Sequence, residues 1–134
     1  MRQSRILFVD DDEGAREVLG DFLAAEGYLI ETARDGRDAL LRLVTFPADL
    51  VVTDLEMPEM NGLDLGRSLR SDRPWCPVLL VTGHENRDRE IRAMGFECLK
   101  KPLDLAQFVQ VIARLSGSAA RRLDHGHPLS SDAT

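Results

Sequence analysis

The sequence predicts an α/β fold in which one parallel sheet is covered by helices on both faces. Short apolar runs alternate along the chain with segments whose apolar residues recur at helical spacing, which is typical of β–α–β units. The runs are apolar throughout, as expected for strands that are buried on both faces. Three of them end at Asp10, Asp54 and Thr82. Because the carboxyl ends of parallel strands share one edge of a sheet, these polar side chains are expected to lie together.

The first part of the chain supplies two strands and two helices. Residues 6–9 form an apolar run that ends on three aspartates, and they are predicted as the first strand. The helix that follows stops at Gly27, and its apolar stripe is Ala15, Val18, Leu19, Phe22 and Leu23. Residues 28–33 become polar after their start, which indicates a strand at the sheet edge. A second helix, ended by Pro47, has the apolar residues Ala39, Leu40, Leu43 and Val44.

The middle of the chain is a buried strand that ends on an acid. Residues 50–53 are apolar or β-branched and stop at Asp54, after which the chain turns to Gly62. A third helix is predicted from there to about Arg70, with Leu65 facing the core.

The last part of the chain adds two strands and two helices. Residues 78–81 form a strand that stops on Thr82, and residues 84–94 form a weakly amphipathic helix, expected to be short or mobile. A strand stub at 98–99 precedes a closing helix from 105 to about 116. Beyond it the sequence is aperiodic and rich in Gly, Ser, Ala and His. We therefore expect one domain over residues 1–116 and a flexible C-terminal tail over 117–134.

Five strands joined by right-handed crossovers suggest a flavodoxin-like, doubly wound sheet in the order 2-1-3-4-5. In that order strands one and three are neighbours, so Asp10, Asp11 and Asp54 converge on one crevice. Thr82 and Lys101 follow strands four and five and are expected at the same edge.

Composition limits the classes of function. The 134 residues carry 23 acids and 17 basic side chains, a net charge of -6. Nucleic acids and anionic membranes need a basic face, so we expect no direct contact with either. The two cysteines form no C-x-x-C pair, and no apolar run approaches the length of about 18 residues that a membrane span requires. We expect a soluble, cytoplasmic protein.

The predicted crevice has the chemistry of a phosphoryl-accepting site. Three adjacent carboxylates repel one another unless a cation lies between them, and oxygen ligands favour Mg²⁺, which then binds phosphate oxygens. Asp54 could attack phosphorus and form an acyl phosphate. Lys101 would neutralise the phosphoryl oxygens, and the Thr82 hydroxyl could donate to one of them.

Four motifs in this order resemble the receiver domain of bacterial two-component response regulators: FVDDD, VVTDLEMPEMNG, LLVTGH and KKP. The resemblance covers residues 5 to 116. By position it implies that Asp54 accepts the phosphoryl group and that Asp10 and Asp11 form the acid pair that binds Mg²⁺, with Asp11 as the direct ligand. Asp54 and the Glu56 carbonyl are the further ligands expected for the ion. It also implies that Thr82 is the hydroxyl switch residue, that Lys101 pairs with the phosphate, and that the peptide bond before Pro102 is cis.

The resemblance further implies a regulator rather than an enzyme, one that assists its own phosphoryl transfer and dephosphorylation. The phosphoryl donor would be a histidine kinase or a histidine phosphotransfer protein. The output would pass to a downstream protein partner or to an output domain that this sequence lacks.

The sequence departs from the family pattern at two places. Cys98 replaces the aromatic switch residue three positions before Lys101, and it is interpreted as a small buried hydrophobe. The interval from Thr82 to Lys101 is also about three residues shorter than the family pattern, which removes most of a helical turn around the fourth helix. Asp12 is interpreted as a helix N-cap and Lys100 as a solvated charge.

Three other functions are considered. An aspartate-nucleophile phosphatase needs an acid two residues after the nucleophile, where Glu56 lies, but it does not need the acids at 10–12. A flavin-binding module would place its phosphate against three acids without a Gly/Ser/Thr-rich cradle. A receiver module that binds proteins without being phosphorylated remains the main alternative.

Overall fold

The computed structural model describes residues 3–84 and 86–126. Over these ranges five strands alternate with five helices, as the apolar patterns predicted. The strands are β1 (Arg5–Val9), β2 (Leu29–Ala33), β3 (Leu50–Asp54), β4 (Val78–Thr82) and β5 (Glu97–Lys100). The helices are α1 (Glu13–Ala25), α2 (Gly36–Thr45), α3 (Gly62–Asp72), α4 (Arg87–Ala93) and α5 (Leu105–Gly126).

The sheet is parallel and has the strand order β2-β1-β3-β4-β5, which confirms the predicted flavodoxin-like topology. Its register aligns the polar ends of the strands. Val9 lies opposite Thr53, and Asp54 lies opposite Val81. Asp10, which directly follows β1, and Asp54, the last residue of β3, are therefore at the same level of the sheet. The structure therefore confirms that the polar strand ends lie at one edge of the sheet.

Two hydrophobic layers cover the sheet. Alternate strand residues such as Leu7 and Val51 pack with α2, α3 and α4 on one face. Their neighbours, such as Phe8 and Val52, pack with α1 and α5 on the other, where Phe108 is completely buried. Helices on both faces explain why the inner strands are apolar throughout.

The helices α1, α2 and α3 begin at side-chain caps. Asp12 caps α1 by accepting from the Gly14 amide, which confirms its interpretation as an N-cap, and Asp35 caps α2 by accepting from the Asp38 amide. Asn61 at the start of α3 takes part in a capping box. Such caps bind backbone amides that no carbonyl of the helix reaches, so they determine where each helix starts.

Two apolar stripes are narrower than predicted. Val18 in α1 is 67% exposed and Val44 in α2 is 75% exposed, so neither belongs to the core. In α1 the buried Gly20 faces the sheet instead, where an added Cβ would lie 3.6 Å from a methyl group of Thr32. Glycine was not counted among the apolar residues, so the sequence pattern included the exposed Val18 in the buried face of α1 and left out the buried Gly20.

Two helices differ in length. Helix α4 has seven residues, in agreement with the prediction of a short helix. Helix α5 continues to Gly126, so its predicted end near Ser116 is wrong. The apolar period does stop there, but Ala, Arg and Leu follow, and these residues have a high helix propensity. The remainder of the predicted tail, 127–134, lies outside the described residues.

The turn between β3 and α3 depends on a glycine. An added Cβ at Gly62 would overlap the backbone carbonyl oxygen of Asp54 and lie 2.9 Å from Cδ2 of Leu80. The Gly62 amide donates to the Leu55 carbonyl at 2.9 Å. This close approach fixes the chain that follows Asp54. In the part of the chain that is described, no helix is both long and apolar enough to cross a membrane.

Candidate functional site

The carboxyl edge of the sheet brings three acids together. Asp54 is the last residue of β3, and Asp10 and Asp11 directly follow β1. Each offers a carboxylate oxygen, and these three oxygens lie within 4.8 Å of one another. Asp10 and Asp54 are buried, at 3% and 6% exposure, whereas Asp11 is exposed. The predicted convergence is therefore present.

The chain around Asp10 is held in place by two hydrogen bonds. The Asp12 amide donates to Asp10 Oδ1 at 2.9 Å, and Arg16 Nη1 donates to the Asp10 backbone carbonyl at 2.7 Å. Because Asp12 also caps α1, the start of that helix and the position of the acid pair are fixed together.

Lys101 reaches the acids from the β5–α5 loop. Its Nζ lies 3.1 Å from Asp54 Oδ1 with 42% of the lysine side chain exposed. The two groups form an ion pair, but their relative orientation does not meet the angles of a hydrogen bond. The buried Oδ1 atom has no hydrogen-bond partner among the described residues. The Lys101-Pro102 peptide is cis, as predicted, and the Lys101 amide donates to the Thr82 carbonyl at 2.8 Å. Asp54 thus presents a paired but unsaturated oxygen.

Burial dominates the electrostatics of the acids. It raises the pKa of Asp10 above its usual value, although the Asp12 amide and Lys101 act in the opposite direction. Burial likewise raises the pKa of Asp54, the neighbouring charges of Asp10 and Glu56 add to that effect, and Lys101 opposes it. For Lys101, burial alone would lower the pKa, but Asp54 and the other acids raise it. The site therefore carries unbalanced negative charge at neutral pH and favours a cation.

The three acids fit Mg²⁺. Oxygen ligands lie about 2.0–2.1 Å from this ion, so opposite ligands are about 4.2 Å apart. The three carboxylate oxygens lie within 4.8 Å of one another, which is close to this spacing. The buried Asp54 Oδ1, which lacks a hydrogen-bond partner, also suits a further ligand.

Thr82 and Glu56 do not join this acid group but contact each other beside it. The Thr82 hydroxyl donates to Glu56 Oε2 at 2.9 Å and accepts from the His84 amide at 3.0 Å. His84 Nε2 lies 3.8 Å from the same Glu56 oxygen. The sequence predicted Glu56 as a metal ligand through its backbone carbonyl, which stays a prediction. The hydrogen bond between its side chain and Thr82 was not predicted, because no residue pattern indicates the direction in which a glutamate turns.

Two neighbouring residues agree with their interpretation. Cys98 is buried at 3% exposure, as expected for a small hydrophobe, and burial raises the pKa of its thiol. Both Lys100 and Lys101 are exposed, but Lys101 also forms an ion pair with Asp54. The order of the two lysines relative to Pro102 was sufficient to distinguish them.

Comparison with known proteins gives a consistent result. Residues 6–113 match the family model described as the response regulator receiver domain. The transcriptional regulatory protein GlrR of Escherichia coli is 35% identical over 114 residues, which are 83% of this chain and 26% of GlrR. The response regulator MprA of Mycolicibacterium vanbaalenii is 36% identical over 108 residues, 78% of this chain and 47% of MprA. The chain thus spans about a quarter to a half of these relatives.

Solved structures agree with the fold. The response regulator TrrA of Thermotoga maritima, in complex with Mg²⁺ and BeF, has 30% sequence identity and a TM-score of 0.78; the match covers 84% of this chain and 99% of TrrA. The chemotaxis response regulator CheY4 of Vibrio cholerae has 28% identity and a TM-score of 0.76, with 85% and 99% covered.

Proposed function

The chain belongs to the family of response regulator receiver domains of two-component systems, and from this premise we propose that it is a phosphorylation-dependent signalling switch. In this proposal Asp54 accepts a phosphoryl group from a histidine kinase or a histidine phosphotransfer protein. The observation that carries the proposal is the unsaturated Asp54 Oδ1, which is buried, 3.1 Å from Lys101 Nζ, and beside the acid pair.

The proposed reaction is a phosphoryl transfer between two proteins. An Asp54 oxygen forms a bond to phosphorus while the bond from phosphorus to the donor's imidazole nitrogen breaks, and the electron pair of that bond returns to the imidazole. Lys101 holds the phosphoryl oxygens and orients them for attack. Asp10, Asp11, Asp54 and the Glu56 carbonyl would hold Mg²⁺, which supplies charge neutralisation when it is bound.

The hydroxyl of Thr82 is proposed to bind the phosphoryl group once Asp54 is phosphorylated. It lies at the end of β4, next to the strand that ends in Asp54, and a hydroxyl at this place can donate to a phosphoryl oxygen. Thr82 and Lys101 are tied through the backbone bond from the Lys101 amide to the Thr82 carbonyl. The backbone positions of the two residues are therefore fixed relative to each other.

The proposed protein is a regulator and releases no small-molecule product. Its output passes to a downstream protein partner or to an output domain outside this sequence, in line with a chain that spans about a quarter of GlrR. The proposal places it in the cytoplasm, where its two free thiols remain reduced.

Incubation with acetyl phosphate and Mg²⁺, followed by intact-mass analysis, tests the proposal. The wild type gains the mass of one phosphoryl group, the gain is lost with a chelator, and Asp54→Asn shows none. Asp72→Asn removes an exposed acid at the end of α3 and serves as the matched control, since it is phosphorylated like the wild type. An unmodified wild type would favour the phosphorylation-independent interaction module, and steady phosphate release from varied substrates would favour the phosphatase.

A further inference from the structure

The Thr82 hydroxyl takes part in two hydrogen bonds. A hydroxyl has one proton to donate, and here that proton goes to Glu56 Oε2 at 2.9 Å. The oxygen of the same hydroxyl accepts from the His84 amide at 3.0 Å, which fixes its direction. Thr82 cannot donate to a phosphoryl group on Asp54 until Glu56 gives up this bond.

Glu56 occupies a place where a phosphoryl group would disturb it. Its carboxylate is close enough to act electrostatically on both Asp54 and Lys101. A phosphoryl group on Asp54 adds negative charge beside this carboxylate, and like charges at short range repel. The negative charge added to Asp54 therefore destabilises the hydrogen bond between Thr82 and Glu56.

The Glu56 side chain also has a route away from the site. It is 36% exposed, and the imidazole of His84, 63% exposed, lies 3.8 Å away on the solvent side. A carboxylate that moves outward keeps a polar neighbour and regains water. Departure from Thr82 consequently leaves no buried unpaired charge.

We propose that Glu56 is a positioning residue that holds the Thr82 hydroxyl away from Asp54 until phosphoryl transfer displaces it. The inference rests on the proposed function, since it names the contact that the switch must break. It gives Glu56 a side-chain role that is separate from the metal-binding role of its carbonyl. The Glu56–Thr82 contact would also resist switching in a chain where Cys98 replaces the aromatic switch residue.

A double-mutant cycle with beryllofluoride and Mg²⁺, an analogue of the phosphoryl group, tests the inference. Calorimetry on the full chain gives the affinity of the wild type, Glu56→Ala, Thr82→Ala and the double variant. Release of the hydroxyl is expected to tighten binding by Glu56→Ala about tenfold, the effect of one hydrogen bond to a charged acceptor. In the Thr82→Ala background the same change is expected to tighten binding by much less, because there is no hydroxyl to release.

Two further variants separate the hydrogen bond from charge alone. Glu56→Gln keeps an acceptor for Thr82 but removes the charge, so it is expected to tighten binding less than Glu56→Ala. Glu59→Ala removes an exposed acid from the same loop and is expected to leave the affinity unchanged. As a second readout, the His84 amide resonance of unliganded Glu56→Ala is expected to shift toward its position in the beryllofluoride complex.

The outcomes distinguish the inference from the function on which it rests. Equal tightening by Glu56→Ala with and without the Thr82 hydroxyl would show a pure charge effect and overturn the positioning role. Weaker binding by Glu56→Ala would also overturn it. A wild type that binds no beryllofluoride would overturn the proposed function itself, and the role of Glu56 in switching with it.

Discussion

Lys101 places its ammonium 3.1 Å from Asp54 Oδ1, while its neighbour Lys100 points into solvent. We predict that Lys101→Ala slows phosphorylation by acetyl phosphate at least about tenfold, because a charge that stabilises the transferring group is lost. Lys100→Ala should react at the wild-type rate. Time courses of intact mass measure both rates, and a similar loss in the two variants would contradict the assignment of Lys101.

The raised pKa of Asp10 has a consequence for stability. Its carboxyl is easier to ionise in the unfolded chain, so the contribution of Asp10 to wild-type stability falls as pH rises from about 4, the unfolded pKa, through the higher folded pKa. We predict that Asp10→Asn is more stable than the wild type at pH 7 without Mg²⁺ and that its advantage shrinks toward pH 4. Urea unfolding at several pH values measures the difference. An advantage that grows as pH falls would show that the sign is wrong.

Single residues also show what a sequence can and cannot reveal. The acids and Lys101 were predictable because strand ends and the lysine–proline pair fix their backbone positions. The contact of Glu56 with Thr82 was not, because it depends on a side-chain rotamer that competes with solvent. The positions of functional residues follow from topology, whereas their mutual hydrogen bonds need coordinates.

The β3–α3 turn shows how an element positions the acceptor. An added Cβ at Gly62 would overlap the Asp54 carbonyl oxygen and crowd Cα of Leu55 at 3.0 Å. We predict that Gly62→Ala destabilises the protein by about 1–3 kcal/mol, since the overlap is with backbone that must move. Thermal or urea unfolding measures this change.

Gly20→Ala in α1 is the matched control for that variant. Its Cβ would make ordinary contact with Thr32 at 3.6 Å, so the better helix propensity of alanine should stabilise the protein by up to about 1 kcal/mol. Equal destabilisation by both changes would show that crowding at the Asp54 carbonyl is not the cause.

At the level of elements, the strands were easier to predict than the buried faces of the helices. Residues 50–53 are apolar or β-branched and buried on both faces, which favours a strand. The helices α1 and α2 were placed correctly, but Val18 and Val44 proved exposed. A helix packs through a stripe whose edges shift with crossing geometry, and the sequence does not specify that geometry.

The whole molecule raises the question of where the domain ends. The described core reaches Leu115 and the buried Ser116, whose hydroxyl donates to the Ile112 carbonyl at 2.7 Å. We predict that a chain ending after residue 117 keeps its free energy of unfolding within about 1 kcal/mol of the full chain, because the buried residues described in α5 end at Ser116 and chain termini contribute little. Urea unfolding of both chains measures this, and a loss of several kcal/mol would place the later turns of α5 within the domain.

At the same scale, the strand order was predictable because alternating elements and right-handed crossovers leave few arrangements. The length of α5 was not, because a helix that continues past its apolar stripe depends on propensity, a weaker signal than burial. The fold was thus predictable as far as the core extends.

The central claim is that Asp54, the acid pair and Lys101 form one phosphoryl-accepting site with Thr82 beside it. A crystal structure with Mg²⁺ and beryllofluoride tests this most directly. We predict beryllium on an Asp54 oxygen, Lys101 Nζ and the Thr82 hydroxyl on its fluorines, and Mg²⁺ on Asp10 or Asp11. Beryllofluoride bound elsewhere, or on Asp54 with Lys101 turned away, would contradict the account.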